Sequence, residues 1–188
     1  MKKILDPLAY FPDKKLLLYN SIIFLIGTAI AAWMQVDFSS TIDLHFRAEA
    51  DEIATLIQNT IIVAILTTIL WTAGYTINKK TRLIDALNLA FMIRIPYYLM
   101  ALINCTGVFS YMASHDVQTI IQKEIPQQAT FLAVSSFFML IFFILVFYLL
   151  FKGFKTMTNA KKITHYIALL VSFWAGILLS MFTIHLIE

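Results

Sequence analysis

A chain of 188 residues that is 60% hydrophobic and only 13% charged, with mean hydropathy +0.80, lies far from the near-even apolar share and quarter-charged make-up of soluble domains. These values exclude a water-soluble globular domain and point to a membrane protein. A formal charge of +3 with no basic patch interleaved with exposed aromatics argues against a nucleic-acid partner, and the lone Cys105 excludes an intrachain disulfide.

About 30 Å of hydrocarbon needs roughly 20 apolar residues in helical conformation, and five runs meet that length. In chain order the expected spans are 16–36, 56–78, 83–108, 128–152 and 162–187, within one domain covering 1–188. The runs lack the alternation of barrel strands, and helices satisfy their backbone hydrogen bonds internally, so the expected fold is an all-α polytopic helical bundle. Lys2 and Lys3 precede the first run as they would in a signal peptide, but that run is too long for a signal's apolar region and is read as a retained helix. Before it, Pro7, Tyr10, Phe11 and Pro12 suit a short interfacial segment.

The first connector opens on a turn-like Ser39, Ser40, Thr41 cluster and continues as an amphipathic helix with Ile53, Leu56 and Ile57 on one side, feeding span two. Pro126 suits the first turn of span four, Gly153 is expected to end it, and Thr158 or Asn159 is placed to cap span five. No internal repeat and no inverted symmetry of the transporter kind is visible.

Cationic residues sort by side. Lys2, Lys3, Lys14, Lys15, Lys79, Lys80, Arg82, Lys152, Lys155, Lys161 and Lys162 fall at one set of span ends, whereas the other connectors hold Arg47, Lys123 and most of the acids. By the positive-inside rule the N-terminus is cytoplasmic and the C-terminus lies outside. The basic face is expected to favour anionic lipid headgroups, and membrane-protein partners or further copies of the chain are the other expected partners.

Chemistry-bearing residues are few. Asp43, His45, Glu49, Asp51, Glu52, His115 and Asp116 are ligand types, yet their spacing matches no zinc or metalloprotease pattern, and a solvated acidic face accounts for them. His165 and His185 fall at opposite ends of span five, where interfacial placement accounts for both. No nucleophile motif or phosphate loop occurs, and Asp85 is the only acid within a span, so the chain is read as non-enzymatic and without a cofactor.

Arg94 is the exception. A charge at the centre of a spanning helix costs about 2.5–3.5 kcal/mol on insertion scales, so it must face protein or water and find acceptors for five N–H donors. Pro96 cannot donate to the Met92 carbonyl, which frees an acceptor one turn below the arginine. Asn88, Asn104, Thr67, Thr68 and Thr72 are further candidates, and Leu87, Ala90, Phe91, Tyr97, Tyr98, Ala101 and Cys105 share the arginine's helix face. Two readings follow: Arg94 locks a kinked helix by bonding stranded carbonyls, or it binds a lipid phosphate or other anion in a cavity reached from the cytoplasmic leaflet. The candidate site is therefore Arg94, Pro96, Asn88, Tyr98 and Asn104.

Three stretches carry a resemblance. "DPLAYFPDKKLLLYN" before span one, "STIDLHF" after it, and "IDALNLAFMIRIPYYLMALIN" in the middle, with Arg94, Pro96 and Asn104, resemble the Yip1 family of five-span integral membrane proteins, in particular its short prokaryotic members. The resemblance implies a location in the bacterial cytoplasmic (inner) membrane. Eukaryotic members are associated with vesicle traffic and prenylated small GTPases and carry a long cytoplasmic N-terminal region, where this chain has about fifteen residues. For prokaryotic members the family implies no settled activity, so the expected function is organisation of lipid or protein partners, with a small transporter or lipid-translocating protein as the alternative.

Overall fold

The computed structural model describes residues 7–48, 51–115 and 125–187. Lys2, Lys3, Glu49, Asp116 and Lys123, used above to assign sides or ligands, lie outside the described residues.

A short helix α1 (Pro7–Tyr10) leads into α2 (Asp13–Trp33), followed by a two-stranded antiparallel ribbon of β1 (Val36–Asp37) and β2 (His45–Phe46). Helix α3 (Glu52–Ile77) and helix α4 (Leu83–Ala101) come next, then a 3-10 turn (Leu102–Thr106) and a short helix α5 (Val108–Ala113). Helices α6 (Ile125–Thr158) and α7 (Ile163–His185) complete the described fold. Five of these segments are long and apolar enough to cross a membrane: Asp13–Trp33, Glu52–Ile77, Leu83–Thr106, Gln128–Thr158 and Ile163–His185. The architecture is all-α apart from the four-residue ribbon.

Helix α4 is the axis of the bundle, packing against α2, α3 and α6, while α7 packs on α3. Burial follows this order: the most apolar stretch of α4 is 67% buried and that of α6 only 17%. Because α6 is also the most hydrophobic helix, most of its apolar surface, including Phe137, Leu140 and Ile144, faces outward.

Helix ends show local chemistry at work. The Asp51 carboxylate accepts the Ile53 and Ala54 N–H groups at 2.8 and 3.2 Å and so caps α3. At the end where the lysines gather, hereafter the basic end, Arg82 bonds Asp85 of its own helix and Asp13 at the start of α2. Hydrogen bonds to Asp85 and then Asp13 raise the Arg82 pKa above its ordinary value, so the guanidinium keeps its charge in this tie between helices.

Two expectations change here. Gly153 does not end α6; the helix runs on to Thr158, and Asn159 ends it in the left-handed region at φ 56°. Gly153 instead lets α4 approach, since a Cβ there would collide with Leu89 Cδ1. Thr158 does not cap α7 either: its hydroxyl donates to the Phe154 carbonyl, and Lys162 occupies the N-cap with no side-chain bond.

The connector after α2 is the largest departure. Read as turn-like from its sequence, it folds inward: β1 and β2 pair with Val36 opposite Phe46, and the residues between them bury Phe38, Ser40 and Thr41. The Phe38 N–H donates to Gln58 Oε1 of α3 and the Thr41 N–H to Ser180 Oγ of α7, both at 3.1 Å. Buried backbone donors need such acceptors, and two helices supply them. Asp37 is buried rather than solvated, accepting from Thr55 Oγ1 at 2.7 Å and lying 2.6 Å from Arg47 Nε.

Candidate functional site

Arg94 occupies the centre of this arrangement and is completely enclosed, at 0% exposure. Its Nε donates to Asn59 Oδ1 of α3 at 2.9 Å, and its Nη1 reaches the Thr41 carbonyl in the inward connector at 3.4 Å. The guanidinium plane lies between two rings, 4.3 Å from the Phe38 centroid and 4.6 Å from that of Tyr97. Aromatic faces offer negative quadrupole where no carboxylate is at hand, and a desolvated guanidinium gains about 2 kcal/mol from such a contact.

Asn59 extends the cluster. Its Nδ2 donates to Thr28 Oγ1 of α2 at 2.6 Å and to the Tyr98 hydroxyl of α4 at 2.8 Å, while Thr28 passes its own proton to the Phe24 carbonyl. One amide therefore joins α2, α3 and α4 through the arginine and a tyrosine. Gly27 makes the approach possible, because a Cβ there would collide with Tyr98 Cδ2, so the ring packs on bare backbone.

Of the sequence-derived candidates, Arg94 and Tyr98 share this cluster and the others do not. Asn88 pairs toward the basic end, accepting from Asn20 Nδ2 of α2 at 2.9 Å on its Oδ1. Asn104 organises the far end of α4: its Nδ2 donates to the Met34 carbonyl and Ser110 Oγ, and its Oδ1 accepts the Phe109 N–H. That amide ties the end of α2 to the 3-10 turn and α5.

Pro96 is buried within a helix that continues through it to Ala101, and Arg94 takes its acceptors from Asn59 and Thr41 rather than from Met92. Thr67, Thr68 and Thr72 return their hydroxyls to carbonyls of α3 itself. The expected approach to Arg94 from the basic side is also corrected. Its partners enter from the opposite, acidic end, because the connector between α2 and α3 folds down over it.

Four residues of the cluster escaped the sequence reading: Thr28, Phe38, Thr41 and Asn59. The adjacent amides Gln58 and Asn59, just before the apolar core of span two, were a usable signal, since unpaired amides at that depth need partners. Phe38 and Thr41 gave none, because nothing local marks a connector as inward-folding.

No group of three or more His, Cys, Asp or Glu side chains placed to hold a metal occurs among the described residues. Asp43 and His45 do approach each other, at 3.0 Å, but on the exposed side of the ribbon.

Fold and site together define an all-helical bundle with five helices of membrane-crossing length, closed around an arginine held by amide, carbonyl and aromatic faces. Comparison with protein-family models, curated proteins and solved structures finds no match to this chain.

Proposed function

We infer that the chain is a non-enzymatic integral membrane protein of Yip1 type, in the bacterial inner membrane, that organises lipid or protein partners. The observation that carries this reading is the division of surfaces. Asn20, Asn59, Asn88, Arg94 and Asn104 are buried and bond between segments, whereas α6 and α7 present Phe137, Leu140, Ile144, Trp174, Leu178 and Phe182 outward. Apolar surface of that extent needs lipid or another membrane helix against it.

The positive-inside rule places the basic end in the cytoplasm. In a Cys105→Ser background, cysteines introduced by Lys79→Cys and His115→Cys are expected to react with an impermeant maleimide from opposite sides of the membrane. Labelling of both from one side would refute the five-span arrangement. For function, native mass spectrometry from mild detergent is expected to show retained phospholipid or a partner subunit. A bare monomer under conditions that preserve the fold would contradict the organising role.

A second reading, a lipid-binding or lipid-translocating protein, is favoured by one detail: the Nη2 of Arg94 has no protein acceptor. Enclosure of the guanidinium weighs against translocation past it, which leaves binding near it as the form of that reading the geometry supports.

A further inference from the structure

A groove of about 360 Å³ opens between the inward connector, α4 and α6, lined among others by Asp43, Tyr97, Met100, Met139, Leu140 and Phe143. Its size suits a small-molecule site, which characteristically sets a few polar groups in apolar walls. Tyr97 is 1% exposed and its hydroxyl, buried without a protein partner, belongs to a side chain that lines this groove. The Arg94 guanidinium lies 4.6 Å from the Tyr97 ring centroid, so this phenol stands beside a positive charge.

Asp43 supplies the opposite sign. Its Oδ2 accepts from Ser39 Oγ at 3.1 Å and faces His45 Nε2 at 3.0 Å, and its Oδ1 accepts the Leu44 N–H at 2.9 Å. A carboxylate has about four acceptor positions, so Oδ1 retains room for one more donor. Apart from Ser136 the remaining walls are apolar, and Leu140, which is exposed, sits on the outward-facing side of α6.

We propose that this groove binds the headgroup of a zwitterionic, amine-bearing phospholipid, a phosphate oxygen accepting from the Tyr97 hydroxyl and the ammonium donating to Asp43. Acyl chains run outward past Leu140 and Phe143. The proposal rests on the membrane-embedded, lipid-organising reading above and adds to it the headgroup class. Charge complementarity selects the occupant: Asp43 repels a purely anionic headgroup, and a quaternary ammonium has no N–H to donate to it. The apolar walls distinguish a lipid from free phosphate.

The test is native mass spectrometry of delipidated protein in mild detergent, titrated separately with chain-matched phosphatidylethanolamine, phosphatidylcholine, phosphatidylglycerol and inorganic phosphate. Phosphatidylethanolamine is expected to bind best. Tyr97→Phe and Asp43→Asn should each lower its occupancy about five- to tenfold, the worth of one charge-assisted hydrogen bond. Leu140→Trp, which leaves both polar groups intact and narrows the groove, should lower it as well, so the outcome does not depend on the fold tolerating changes at Tyr97. Preferential binding of phosphatidylglycerol, equal binding of the three lipids, or binding of inorganic phosphate alone would overturn the site. Lipid retained equally by wild type and all three variants would also overturn it while leaving the lipid-organising role intact, whereas absence of any lipid or partner subunit would remove both.

Discussion

Asn59→Leu is expected to destabilise the protein by about 2–4 kcal/mol, more than any other single polar substitution in the bundle, and Arg94→Leu in the same chain should restore over half of that loss. The asymmetry follows from what each change leaves behind. Removing Asn59 strands the Nε of a fully enclosed guanidinium and takes the donor away from Thr28 and Tyr98. An uncompensated buried charge is far costlier than a missing neutral bond; ordinary interhelical hydrogen bonds in membranes average only about 0.6 kcal/mol. Removing Arg94 as well takes the charge out together with its partner, and the insertion cost of the arginine, about 2.5–3.5 kcal/mol, is no longer incurred. Thermal unfolding in detergent of the wild type, both single variants and the double variant measures the coupling directly. If the double variant were as unstable as Asn59→Leu alone, the guanidinium would not be the group that Asn59 satisfies.

The second large effect concerns Gly27, and its contrast with Gly153 makes it sharp. A Cβ at either position collides with a neighbour, so both alanine variants demand movement. At Gly153 the obstacle is the Leu89 Cδ1, the far end of a flexible side chain that can change rotamer. At Gly27 it is the Tyr98 ring, Cγ as well as Cδ2, and that ring is held by the Asn59 bond to its hydroxyl. Gly27→Ala should therefore cost about 1–3 kcal/mol through overpacking, after the gain of roughly 1 kcal/mol in helix propensity. Gly153→Ala should fall within about 1 kcal/mol of wild type, because the same gain offsets a small repacking cost. Equal losses at the two positions would mean that Tyr98 is free to move and that the α2–α4 contact does not depend on its place.

Together these substitutions separate a role in holding the bundle from a role in binding. Asn59 and Gly27 act on the seam of α2, α3 and α4, away from the residues that line the groove beside Tyr97. A variant that loses stability there and keeps its phospholipid preference would place the arginine cluster and the headgroup site in different tasks, linked by the Tyr97 ring and the inward connector.

The helices themselves were legible because each depends on short-range pattern. Uninterrupted apolar runs of membrane-crossing length have one economical conformation away from water, so five long helices could be read from composition and spacing. Arg94 could be singled out for the same reason, since a charge within such a run is improbable without a partner. What the pattern could not supply was the partner. Pro96 suggested a local acceptor, but the helix passes through it, and the arginine reaches across to α3 and up to the connector.

The amino-acid sequence by itself thus determined the number, length and apolar character of the long helices, the segregation of lysines to one end, and the demand of Arg94 for satisfaction. Only the tertiary structure decided how that demand is met. Phe38 and Thr41 lie 56 and 53 positions from Arg94 in a segment whose local signals say turn, and they reach it because their backbone N–H groups find Gln58 and Ser180 on two different helices. Contacts of that kind depend on which faces of packed helices meet, a property of the assembled bundle that no local run of residues encodes.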